Sequence, residues 1–130
     1  MGEEEAGRQI VDSAVQIHRV LGHGLLEIVY EAVLAHELRR RGLRVDRQVA
    51  IPLNYQGLKF EEGFRADLLV EGQVIVELKC VERLNAAHKK QILTYLRLAD
   101  RRLGFLLNFG EPLMKNGITR CVHRIREPIF

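Results

Sequence analysis

Val74-Ile75-Val76-Glu77-Leu78-Lys79-Cys80 is the stretch whose reading decides the fold. Three β-branched residues open it, as a sheet interior favours, and the run stays apolar through Val81 except at Glu77 and Lys79. Side chains on a strand alternate between faces, so Ile75, Glu77 and Lys79 share one face while Val76, Leu78 and Cys80 share the other. The second face is uninterrupted core. The first turns charged toward its C-terminal end, where ligand crevices of α/β sheets lie.

Outward from this strand the hydrophobic period changes repeatedly. Ile10, Ala14, Ile17 and Leu21 recur at helical spacing and predict a first helix from about Glu4 to Val20, broken at Leu21-Gly22-His23-Gly24. A second helix is expected from about Leu25 to Arg41, stopped by Gly42. Val45, Val49, Ile51 and Leu53 alternate as a strand that ends in an Asn54-Tyr55-Gln56-Gly57 turn. Phe60 to Val70 and Val74 to Val81 read as strands joined by Glu71-Gly72-Gln73. Asn85 to Leu98 returns to helical spacing, Leu103 to Phe109 is a further strand, and Ile118 to Ile125 a last, edge strand. The expected order is α-α-β-β-β-α-β-β, an α/β domain around one central mixed sheet.

A chain of 130 residues is the size of one domain, so 1–130 is read as a single unit. Its 47% hydrophobic and 28% charged residues are globular proportions and exclude a disordered chain. No apolar run approaches a membrane span, and the acidic start MGEEEAGRQ has no apolar segment behind it. A soluble cytoplasmic protein that does not engage a membrane is expected. Cys80 and Cys121 stand far apart, with no zinc or disulfide framework, and Cys80 reads as a small buried hydrophobe. The net charge of +3 is mildly basic but uneven, with Arg39-Arg40-Arg41, Lys89-Lys90, Arg101-Arg102 and the 120–126 stretch as clusters. Such clusters permit a polyanionic partner and equally suit solvated helix faces.

The chemistry turns on Asp67. If Glu71-Gly72-Gln73 is a three-residue loop, Asp67 falls directly opposite Glu77 on the same face. A two-residue loop, Glu71-Gly72, sends it to the other face. Like charges directly opposite each other destabilise a strand pair unless a divalent cation sits between them. Mg²⁺ takes oxygen ligands and is typically held by one or two carboxylates plus substrate phosphate and water. Asp67, Glu77 and the backbone carbonyl of Leu78 can supply the protein's share, and Lys79 can orient a water and offset phosphate charge. That set describes phosphodiester hydrolysis.

These residues resemble the PD-(D/E)XK nuclease superfamily, through Asp67 followed by Glu77-Leu78-Lys79. Gly24-Leu25-Leu26-Glu27-Ile28-Val29-Tyr30 is similar to the name-giving pattern of its GxxExxY family. His18-Arg19-Val20-Leu21-Gly22, Phe64-Arg65-Ala66-Asp67 and Asn108-Phe109-Gly110 extend the likeness from about Ile10 to Val122. Ala66 stands where the superfamily name has proline. The resemblance implies a restriction-endonuclease-like core and a Mg²⁺ site, with Mn²⁺ able to substitute, built by Asp67, Glu77 and Lys79. Glu27 would be the additional acidic residue from the helix, catalytic and metal-binding. Gln91-Ile92-Leu93-Thr94-Tyr95 matches a Gln-x-x-x-Tyr motif of some branches, which places Gln91 and Tyr95, with Arg65 and His88, as substrate-contacting candidates. Read on the bare sequence, Glu27 lies within the helical arc of Tyr30, Leu34 and Leu38 and needs a cation, an arginine or a cap role there. The implied function is a metal-dependent nuclease, with DNA expected ahead of RNA; the alternative is a domain that keeps the fold and binds or scaffolds without cleaving. The length leaves no room for a separate recognition domain, so specificity would come from a homodimer, a partner protein or a structured substrate.

Overall fold

The computed structural model describes residues 1–124. In chain order it contains α1 (Glu3–Leu21), α2 (Glu27–Arg40), β1 (Val45–Tyr55), β2 (Leu58–Val70), β3 (Val74–Lys79), α3 (Ala86–Ala99), β4 (Leu103–Asn108), a 3-10 turn at Met114–Gly117, and β5 (Ile118–Val122). The five strands form one sheet in the order β1-β2-β3-β4-β5. Pairings are antiparallel except β3 with β4, which are parallel because α3 carries the chain across between them. The expected α/β order and mixed sheet are therefore found. Strand β5 is an edge as anticipated, with Ile125 outside the described residues. Among the described residues no helix is long and apolar enough to cross a membrane.

Two helical layers hold β3 in the middle. Ile10, Ala14 and Ile17 of α1 and Tyr30, Leu34 and Leu38 of α2 pack on Val74, Val76 and Leu78. On the opposite face, Ile92 and Leu96 of α3 meet Ile75 and Leu106. Each such burial stabilises by roughly 1.5–3 kcal/mol relative to exposure. The apolar face of β3 thus fixes the strand, and its second face is shared between α3 and a charged end.

The arginines that close α2 are largely engaged inside the molecule. Gly42, at φ 91°, donates to the Arg39 carbonyl and Leu43 N–H to the Leu38 carbonyl, which together form the left-handed stop expected at this glycine. Arg39 donates to the Val45 carbonyl, Arg40 to Glu37, and Arg41 to Glu37, Asp12, Gln9 and Gln16. What reads in sequence as a basic cluster is a clasp between α1, α2 and the start of β1.

The hairpins set the register. Strand β1 runs on to Tyr55 rather than ending before Asn54, because the turn is only Gln56-Gly57, both at positive φ (47° and 87°). Such two-residue turns match the twist of paired strands and let both continue to the tip. Between β2 and β3, Val70 pairs with Val74, Leu69 with Ile75 and Leu68 with Val76, so Glu71-Gly72-Gln73 is a three-residue loop. The odd loop puts Asp67 next in line opposite Glu77.

Midway along the β1–β2 pair the side chains change faces. Val45, Leu68 and Val70 point into the core beneath α1 and α2, whereas Val49, Ile51, Phe64 and Ala66 point into the core beneath α3. Strict alternation would keep Val45 with Val49, and Ala66 with Leu68, on one face. The switch falls at Gln48, held at φ 52°, and at Asp67, the residue across from it. A left-handed backbone at a residue with a side chain costs about 1 kcal/mol. That strain sits beside the candidate site.

Candidate active site

Asp67 and Glu77 lie where β2 peels away from β3. The last ladder pair is Leu68 with Val76, and one residue further the carboxylates replace the backbone ladder. Asp67 N–H donates to Glu77 Oε1 at 3.3 Å, and Leu78 N–H donates to Asp67 Oδ2 at 2.9 Å. Phe109 N–H donates to the Lys79 carbonyl, so the odd-numbered residues of β3 turn their peptide groups toward β4. Leu78 turns its own toward β2, and its carbonyl leaves the strand on the same side as the N–H bound to Asp67.

Glu77 is only 5% exposed. Burial, the charge of Asp67 and a hydrogen bond with its carboxyl push the Glu77 pKa up to about 9, against a smaller lowering by Asp67 N–H and Lys79. Two carboxyls in one partly dry site cannot both ionise without a positive charge between them. The donor set fits a hard divalent cation: two carboxylates and a strand carbonyl, with no pre-gathered cage of three or more His, Cys, Asp or Glu among the described residues. Mg²⁺ uses such partial protein sets and keeps several waters, unlike a structural zinc.

Glu27 stands at the first position of α2 and is exposed, not buried in the Tyr30–Leu34–Leu38 arc. Surrounding protein, then the charge of Asp67, raise its pKa, while Lys79 lowers it. It therefore overlooks Asp67 without joining a three-carboxylate cluster. Lys79 is half-buried at the end of β3, close enough for its charge to act on both Glu27 and Glu77.

The substrate-contacting candidates divide. Tyr95 is half-buried, stacks on Phe64 with ring centroids 3.9 Å apart, and has its hydroxyl pKa raised by burial and by Glu77 and Asp67. Gln91, one turn earlier on α3, is exposed. His88 uses Nδ1 to accept from Asn85 N–H while its own N–H donates to the Asn85 side chain, a capping box that starts α3. Arg65 makes two hydrogen bonds to Glu62.

Glu31, Arg47 and Gln48, none of them singled out from the sequence, complete the surroundings. Glu31, 3% exposed, accepts two hydrogen bonds from Arg47 and one from Gln48, whose amide also reaches Asp67 Oδ1 at 3.4 Å. The signal available was Glu31 itself, a carboxylate one turn after Glu27 beside the buried Tyr30. The need for an arginine argued for Glu27 belongs to Glu31, and Arg47 meets it.

Tyr30 ties down the loop that leads into Glu27. Its hydroxyl donates to the Gly22 carbonyl at 2.6 Å and accepts from Leu25 N–H at 3.2 Å, and its ring stacks on Phe109 at 4.5 Å. Asn108 clamps the exit from β3, pairing both peptide groups of Val81 and accepting from Gly110 N–H. A Cβ on Gly110 would collide with the Val81 backbone. Tyr30→Phe should lower the melting temperature by several degrees, as two loop groups lose a partner worth about 1 kcal/mol each. Thermal denaturation followed by circular dichroism checks it; an unchanged melt would mean that the hydroxyl does not hold the loop.

A family model described as the PD-(D/E)XK nuclease superfamily matches residues 4–121. That span runs from α1 to β5 and includes every residue of the site. No curated protein matches the chain.

Proposed function

The chain belongs to the PD-(D/E)XK nuclease superfamily, and from that premise we propose that it is a Mg²⁺-dependent nuclease of the GxxExxY kind, acting as one domain on nucleic-acid phosphodiesters. The single observation that carries this reading is the Asp67–Glu77 pair: Glu77 buried and Asp67 half-buried, hydrogen-bonded across the split between β2 and β3, and short of positive charge. A Mg²⁺ or Mn²⁺ ion bound there would polarise a phosphoryl oxygen and lower the pKa of a water. Asp67, Glu77 and the Leu78 carbonyl hold the ion in this reading. Lys79 orients the attacking water and offsets charge on the phosphate, while Glu27 overlooks the pair from α2. Tyr95 and Gln91 border the substrate, with Arg65 and His88 at its margin.

The path of the substrate follows from which basic residues are not already paired. Arg39, Arg40, Arg41, Arg47, Arg102 and Arg120 bind carboxylates or carbonyls of the chain itself. Lys89, Lys90 and Arg97 are exposed on α3 and, like Arg19, Lys59, Arg83 and Lys115 elsewhere on the surface, make no ion pair among the described residues. A strand laid along α3 toward Tyr95 and Glu77 meets a short run of phosphate contacts. Such a footprint suits nucleic acid taken up as a single strand or end better than a long duplex; DNA ahead of RNA, and a cytoplasmic setting, are part of the proposal.

Labelled single- and double-stranded DNA and RNA, incubated with Mg²⁺, Mn²⁺ or EDTA, test the reading. Cleavage is expected with metal only. Binding should weaken with a log–log salt slope of about −2 to −3, corresponding to roughly three phosphates. Metal-dependent binding to nucleic acid without cleavage under any condition would transfer the conclusion to the non-cleaving alternative. Binding insensitive to salt would remove α3 as the phosphate track.

A further inference from the structure

We infer that Gln48 is a positioning residue for the Asp67 carboxylate, acting as a two-sided hydrogen-bond donor clamped by Glu31. The inference rests on the proposed metal-dependent reading, since it assigns Gln48 the task of setting a ligand oxygen. Gln48 and Asp67 stand directly across the β1–β2 pair, at the point where both strands switch faces. The Gln48 side-chain nitrogen carries two hydrogens. One goes to Glu31 Oε1 and the other to Asp67 Oδ1. Carboxylates on both sides leave no choice of amide orientation, because the carbonyl oxygen in that place would face two acceptors.

The clamp is itself anchored. Arg47 takes Glu31 Oε2 with two nitrogens, which leaves Oε1 for Gln48 and neutralises a carboxylate that is otherwise buried. Asp67 is then held from both ends: Oδ1 by Gln48 on β1, Oδ2 by Leu78 N–H on β3. The backbone cost at Gln48 has a reason on this account, since its left-handed φ of 52° brings the side chain round to the Asp67 side. Strain kept at one residue next to a ligand is the pattern of a site that needs geometry more than stability. Partners that orient a ligand oxygen typically change metal affinity or activity 10- to 100-fold when removed.

Gln48→Gly separates positioning from mere support. Glycine accepts the positive φ without strain, and the relief offsets part of the hydrogen bond that buried Glu31 loses with the side chain. Its expected melting temperature is close to wild type, while the Mn²⁺ dissociation constant, read by electron paramagnetic resonance, rises about tenfold. Gln48→Ala should show the same loss of affinity together with a lower melting temperature. Wild-type Mn²⁺ affinity in Gln48→Gly would overturn the inference. Failure of the nuclease reading is recognised separately, as wild-type protein that takes up no Mn²⁺. The bridge is then read in the metal-free protein by the Gln48 side-chain amide signals in a ¹⁵N–¹H correlation spectrum. Those signals should move in Asp67→Asn and in Glu31→Gln; indifference to Asp67→Asn overturns the inference whatever the metal result.

Discussion

Glu77→Gln is expected to melt above the wild-type protein at pH 8 in EDTA, and to lose metal-dependent cleavage. Wild-type Glu77 is buried beside Asp67 with its pKa raised to about 9, against about 4.3 for a free glutamate. The folded protein holds this proton more tightly than the unfolded chain does. The stabilising contribution is therefore complete below about pH 4 and falls as pH rises, until the folded group itself ionises near pH 9. Glutamine keeps the shape and a neutral head at every pH. Lys79 nearby softens the cost of ionising Glu77, so the difference at pH 8 is put at about 2 kcal/mol, or several degrees in melting temperature. Melts from pH 5 to 9 should diverge progressively, the wild type falling faster. Added Mg²⁺ should narrow the gap by stabilising the wild type alone, with proton release on binding visible by calorimetry in buffers of different ionisation enthalpy. Parallel melting profiles, or a less stable Glu77→Gln at pH 8, would show that the carboxyl is not held in this state.

The same pair shows how far a sequence can be read. The element order and the layers follow from periodicity, because Ile10, Ala14 and Ile17, or Tyr30, Leu34 and Leu38, repeat at intervals that only a helix packs on one side. The face of Asp67 was not legible in that way. It depends on whether the β2–β3 loop has two residues or three, and Gly72 suits either. Three are found, with Glu71 at φ 55° and its carboxylate accepting from Arg44 N–H, a contact 27 positions away. A long-range partner decides what local composition leaves open.

Charge was the least legible property. Arg39, Arg40 and Arg41 look like a surface cluster until α2 is placed against α1, where Asp12, Gln9 and Gln16 receive Arg41. Gln48 was invisible for a related reason. Its run alternates regularly in sequence, and nothing in a glutamine announces a positive φ or a partner on a helix 17 residues earlier. Motif residues, by contrast, were readable as chemistry: Asp67 and Glu77 meet, and the charge of Lys79 reaches both Glu77 and Glu27.

Lys79→Ala should reduce cleavage by at least about 10³-fold while leaving Mn²⁺ binding within roughly an order of magnitude of wild type. Asp67 and Glu77 remain to hold the ion, so the loss falls on the reacting phosphate and water. Removing the ammonium also withdraws what lowers the pKa of Glu77 and Glu27, so the residual activity should need a higher pH. Lys79→Arg is not expected to restore the rate. A guanidinium keeps the charge, but it is a broad planar fork where a compact, rotatable donor is required. Rate and metal affinity measured on the same preparations separate the two roles. Activity that survives Lys79→Ala would belong to a different site or to a contaminant. Activity and Mn²⁺ binding lost together would make Lys79 a support of the carboxylate pair rather than a catalytic group. The expected split, affinity kept and rate lost, is what a cation placed beside the ligands for the sake of the phosphate must give.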